Sequence, residues 1–237
     1  MNNPYSFDPI VEERRSSVSF SALMSKVYLW MMMALVMTAL TAYGVAGNER
    51  LVYAIMSSKL LFYGLLLSEL AVVVLLSARI GRMSFLTAGL SFAVYAILNG
   101  VTMSVILMAY TETSVAMTFF VTAGTFGVMS LTGLFIKRDL SRIGRFLFMA
   151  LIGLIVATLV NYFMKVEGLA ILLNYLGVLI FCGLTAYDTQ KMKEILAQSQ
   201  DAGSEDMQKV ALLCSLSLYL DFINLFLHLL SIFGDRD

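Results

Sequence analysis

Glu69, Asp188 and Asp221 each lie inside a long apolar run of the chain. An ionised side chain at membrane depth costs about 2.5–3.5 kcal/mol on insertion scales, so an acid kept there has a task to perform. Asp188 and Asp221 fall in the last two apolar runs, and if these pack against each other the two carboxylates meet. Two like charges in low dielectric do not both ionise at neutral pH, so the pair holds one proton and exchanges it in the physiological range. With the proton shared, the carboxyls hydrogen-bond and hold their segments together. Without it they repel, and they then offer oxygen ligands to a hard cation such as Ca²⁺. A latch in which protons and Ca²⁺ compete is the chemistry implied. Arg79, at the end of an earlier run, is the basic residue best placed to snorkel towards Asp188. Asn224 and the sole histidine, His228, follow Asp221 by three and seven residues and extend a polar stripe on one helix face. Glu69, Asn224 and His228 are accessory candidates.

Each residue also has a plainer reading. Asp188 suits a solvated helix cap beside Lys191, Arg79 suits an interfacial cation, and His228 suits an interhelical hydrogen bond rather than a proton relay.

The elements that must position these groups follow from composition. The 237 residues are 59% hydrophobic and only 14% charged, against roughly 25% charged in soluble domains. Apolar stretches of spanning length cover 23–46, 60–78, 85–110, 113–136, 143–164, 169–190 and 210–233. In lipid the backbone must satisfy its own hydrogen bonds, and no alternating barrel pattern is present. The fold expected is an all-α membrane protein, a bundle of seven transmembrane helices occupying 22–237, after a polar tail over 1–21. The first apolar run is too long for a cleaved signal segment. Both prolines, Pro4 and Pro9, lie in that tail, so no span is broken.

The basic residues set the orientation. With the N-terminus cytoplasmic, twelve of the sixteen lysines and arginines fall inside, leaving only Arg50, Lys59, Lys165 and Arg236 outside. The C-terminus is then external. Gly89, Gly100, Gly124, Gly127 and Gly133 suit close helix packing. Cys182 and Cys214 read as small core hydrophobes rather than a disulfide or metal pair. A formal net charge of zero gives no general basic field for nucleic acid.

The two aspartates stand in specific surroundings: Ala186-Tyr187-Asp188-Thr189-Gln190, and Leu218-Tyr219-Leu220-Asp221-Phe222-Ile223-Asn224-Leu225-Phe226. Together with Asn99-Gly100-Val101-Thr102-Met103-Ser104 in the third span, these segments resemble the Bax inhibitor-1 family in its bacterial branch. That resemblance implies a seven-helix bundle with helix seven at the centre. It implies a pH-sensitive Ca²⁺ leak channel of the bacterial inner membrane, whose sensor is the pair Asp188 and Asp221 with Arg79 coupled to it. Ca²⁺ would be the permeant ion, bound transiently by the two aspartates, with no cofactor. The bilayer, protons and Ca²⁺ are the partners expected.

Four other readings are weighed against it. A Ca²⁺/H⁺ exchanger would use the same carboxylates but follow the proton gradient. A non-conducting scaffold would make the acids dispensable. An intramembrane aspartyl protease also pairs aspartates on adjacent helices, but its Gly-x-Gly-Asp and Pro-Ala-Leu motifs are missing, and a non-enzymatic role is expected. A retinal-binding role fails for want of a lysine in the last span.

Overall fold

The computed structural model describes residues 9–197 and 204–235, with side chains from residue 20 onward. Eight α-helices follow in order: α1 (Pro9–Ala46), α2 (Glu49–Ser57), α3 (Lys59–Arg79), α4 (Phe85–Leu107), α5 (Glu112–Phe135), α6 (Ser141–Met164), α7 (Glu167–Ala197) and α8 (Glu205–Phe233). A single 3₁₀ turn, Ile80–Arg82, follows α3. No strand occurs among the described residues. Seven helices, all but α2, are long and apolar enough to cross a membrane. They match the seven runs expected, so the chain is a multi-pass integral membrane protein.

The helices start where short polar side chains can take up free backbone N–H groups. Asn48, Ser58, Ser84, Thr111 and Ser204 each accept a hydrogen bond from the backbone N–H three residues on. At the end of α6, Lys165 adopts a left-handed φ of 54°. Its N–H donates to the Asn161 carbonyl, and the next N–H donates to the Asn161 side chain.

Two elements differ from those expected, and the last span begins with the extra turn holding Lys209 that its sequence allows. α1 starts at Pro9, inside the segment read as a tail; proline suits the first turn because its missing N–H would find no helical partner there. α2 is new: nine residues are too few to span, and it reads as amphipathic rather than as an apolar run. α8 begins at Glu205 and so contains Lys209, whose ammonium lies 2.8 Å from Asp206.

α8 is the axis of the bundle. Of its most apolar stretch, 61% is buried, against 11% for α3 and for α6. It is flanked by α7, α1, α5 and α4. The peripheral helices present large apolar side chains outward, Leu60, Leu67 and Phe163 among them, where lipid is the solvent. Without a hydrophobic driving force between helices, close contact depends on small residues. A methyl at Gly133 would collide with the Ala186 carbonyl of α7, and one at Gly100 with the Thr38 carbonyl of α1. Gly124 and Gly127 face open space, so the packing expected of them is absent.

Candidate functional site

The seam between α7 and α8 carries the acids, and its register follows from the histidine. His228 stacks on Phe181 with ring centroids 5.7 Å apart, and its Nδ1 lies 3.1 Å from Asn174 Oδ1. A methyl at Gly177 would strike its ring. The centre of those three α7 positions sets His228 level with Gly177. In an antiparallel pair Asp221 then lies level with Leu184, and Asp188 sits about one turn, roughly 6 Å, nearer the end where α7 and α8 connect. Electrostatics agree, because Asp188 acts on both Asp221 and Cys214. Those two are seven residues apart on one stripe of α8, so Asp188 faces the stripe between them.

Asp221 is only 5% exposed, and its Oδ2 is the buried side-chain polar atom without a hydrogen-bond partner among the described residues. Asp188 is half-buried and feels the Lys191 ammonium three residues on, while Lys191 itself lies over the Tyr187 ring. Asn224 does not extend the stripe to a neighbour; its amide donates to the Leu220 carbonyl of its own helix at 2.8 Å. His228 makes the interhelical hydrogen bond described above.

The residues after Asp188 tie α7 to the rest of the bundle. The Thr189 hydroxyl is 3.2 Å from Ser130 of α5, which lies 2.6 Å from the Tyr28 hydroxyl of α1. Gln190 accepts from the Leu140 N–H at 2.8 Å and donates to the Arg138 carbonyl at 2.9 Å, fastening the α5–α6 connection. Lys193 donates to the Leu134 carbonyl near the end of α5 at 2.7 Å. These bonds tie the last turns of α7 to α5 and to the α5–α6 connection.

Glu69 belongs to a second polar group, on the other side of α8. It accepts from the Thr102 hydroxyl, and Asn99 is also within hydrogen-bonding reach. The Tyr219 hydroxyl donates to Asn99 Oδ1 at 3.2 Å and lies 2.7 Å from the Thr38 hydroxyl. This chain joins α3, α4, α8 and α1. Tyr219 is fully buried, with Phe92 and Tyr95 edge-on to its ring. Arg79 closes α3 as an exposed side chain and makes no ion pair with a described residue. The structure therefore brings Asp188, Asp221 and His228 to one seam, puts Glu69 at another, and leaves Arg79 at the surface.

The family model described as "Inhibitor of apoptosis-promoting Bax1" matches residues 21–237. Inner membrane protein YbhL of Escherichia coli is 44% identical over 229 residues, 97% of each chain. An uncharacterized protein of Deinococcus radiodurans is 45% identical over 90% of each chain. An uncharacterized membrane protein of Streptococcus pyogenes is 36% identical over 94% of this chain and 96% of its own. The chain belongs to the Bax inhibitor-1 family.

In this Bax inhibitor-1 family protein the two aspartate motifs are the two walls of one seam. Neighbouring motif residues point elsewhere to hold that seam in place. Tyr187 packs its ring on Gly144 of α6, and Thr189 and Gln190 bind α5 and the loop beyond it. Tyr219 and Asn99 both stand in the motif segments, yet Thr38, which bonds to Tyr219, carries no signal in the sequence. A threonine in an apolar span reads as helix filler. Only tertiary contact reveals it as a partner.

Proposed function

We propose that this protein is a pH-sensitive Ca²⁺ leak channel of a bacterial inner membrane, latched by a proton shared between Asp188 and Asp221. The observation that carries the reading is Asp221: 5% exposed, with an unpartnered Oδ2, and under the influence of Asp188 one turn away across the seam. An unpaired carboxylate in that setting is too costly to persist, so the pair keeps a proton or recruits a cation. Loss of the proton makes the walls repel, and the interface between α7 and α8 gives way. Two carboxylates supply only part of the six to eight oxygens Ca²⁺ prefers, which suits passage rather than retention. Arg79, exposed at the end of α3, is the basic residue this reading couples to a deprotonated Asp188.

Orientation follows the same reading. The end where α7 and α8 connect carries most of the basic residues and faces the cytoplasm; α2 and the C-terminus face out. The placement in an inner membrane is supported by the likeness to YbhL.

The test is Ca²⁺ influx into liposomes holding the purified protein and a Ca²⁺ dye, across pH 6 to 8 with the proton gradient clamped. Wild type should conduct in a pH-dependent manner, and Asp188→Asn and Asp221→Asn should each lose that dependence. Flux that follows the gradient instead makes the protein an exchanger. Absence of flux at every pH, or mutants matching wild type, leaves a scaffold.

A further inference from the structure

α5 packs on α7 and α8, while α1 packs on α4 and α8, and between these two groups the bundle gapes at its α2 end. A crevice of about 830 Å³ opens there, walled by α1, α4 and α5 and floored by α8. It is large enough to hold many waters. Phe119 and Phe222 both line the crevice, Phe222 buried at its floor and Phe119 40% exposed on its wall. Phe222 is edge-on to Phe119, with centroids 5.6 Å apart, and edge-on to Phe126 at 5.5 Å. Phe222 and Phe126 are 4% and 6% exposed.

Residues 115, 119, 126, 130 and 133 form one face of α5, so its order in depth can be read directly. Val115 and Phe119 line the crevice. Deeper lie the buried Thr122, whose hydroxyl donates to the Thr118 carbonyl of its own helix, then Phe126, and one turn further Ser130 bonds to Tyr28 and Thr189. Ser130 thereby touches the residue that follows Asp188 on α7. On α8 the ring of Phe222 is the immediate neighbour of Asp221.

We infer that Phe119, Phe126 and Phe222 form a hydrophobic gate, and that the crevice above them is the entrance by which the cation reaches the aspartate seam from the α2 side. The inference rests on the channel reading above. Apolar constrictions block ions by shedding water, and they open when widened by a small displacement. Repulsion between Asp188 and Asp221 pushes on α8 at the residue adjoining Phe222, so the latch and the gate share one segment of backbone. The crevice itself is wide, and Glu112 at its rim presents an acid to an arriving cation.

Two variants test this in the same liposome assay. Phe222→Ala should conduct several-fold more than wild type at low pH, where the latch is closed, and Phe126→Ala should do likewise. Should either ring deletion prove too unstable to purify, Ala39→Cys, a small change on the crevice wall, carries the test alone. A bulky, membrane-impermeant cationic thiol reagent should cut its flux several-fold and leave wild type, with its native cysteines, unaffected. Wild type that conducts with normal pH dependence, beside a fully labelled Ala39→Cys of undiminished flux, overturns the entrance. Under the same conditions, a folded Phe222→Ala with no leak overturns the gate. Wild type without any flux overturns the channel reading itself, and the gate falls with it.

Discussion

Replacing Gly133 by alanine should destabilise the protein more than any other single methyl on α5. An ideal Cβ there meets the Ala186 carbonyl oxygen, with the Ala186 carbonyl carbon and Thr189 Cβ both at 3.0 Å. Relief requires α5 to retreat from α7 by about 1 Å, since attractive contact between heavy atoms begins near 3.5 Å. The Ser130–Thr189 contact, already 3.2 Å, would then pass beyond hydrogen-bonding range. Overpacking costs about 1–3 kcal/mol and the lost hydrogen bond about 1 kcal/mol, while alanine regains about 1 kcal/mol of helix propensity. A net loss of about 1–3 kcal/mol corresponds to a fall in Tm of roughly 3–9 °C for a chain of this length. Thermal unfolding in detergent can be followed with a thiol-reactive fluorophore, because Cys182 and Cys214 are free and partly buried. Gly153→Ala is the control, because nothing lies within 4 Å of a methyl there. Equal Tm values for the two variants would refute the close approach of α5 to α7.

Tyr219→Phe should cost about 1–3 kcal/mol by removing a buried hydroxyl that bonds Thr38 and Asn99. Combined with Thr38→Val it should cost less than the two single changes added, and additive losses in the same melting assay would mean the hydroxyls do not act together. His228→Gln should keep the pH response of Ca²⁺ flux, because the imidazole holds Asn174 and stacks on Phe181 rather than facing the acid pair; loss of the response would restore the proton-relay reading. Asp139, exposed between α5 and α6, has its carboxyl held below the usual aspartate range by hydrogen bonds from Ser141, with Arg145 and Arg142 assisting. Its contribution is present above the ordinary aspartate value and vanishes only as pH falls through the lowered one. A carboxyl-carbon NMR titration should therefore place it below about 3.9, and a higher midpoint would break the link to Ser141.

The spans were legible because each apolar run is long and no charge pattern competes with it. What the sequence could not supply was register. Asp188 and Asp221 lie at different nominal depths in the runs 169–190 and 210–233; the contacts of His228 reduce the offset to about one turn, and α8 runs back to Glu205 through charged residues that hydropathy assigns to a loop. α2 escaped for a related reason: its amphipathic nine residues belong to neither a span nor an obvious turn. Glu69 was visible as a costly acid, but its partners are uncharged side chains on α4, and the chain onward to Thr38 runs through Tyr219. Uncharged polar residues carry little cost in a span, so they send little signal.

Tyr219 and Asp221 are two residues apart, which on a helix turns their side chains by about 200°. One faces the group containing Glu69, Asn99 and Thr38; the other faces Asp188. A lone carboxyl pair on a peripheral helix could separate and leave the remaining bundle undisturbed. On α8, which every inner neighbour touches, movement away from α7 must strain the Tyr219 hydroxyl contacts on the opposite side. On the proposed channel reading, repulsion at Asp221 is therefore opposed by the hydrogen bonds of Tyr219, and their balance would set the pH at which the seam yields. Tyr219→Phe should then do more than lower Tm: it should move the pH of half-maximal Ca²⁺ flux to a lower value, since less deprotonation suffices to displace α8. An unchanged midpoint in that variant would show that the two faces of α8 are mechanically independent.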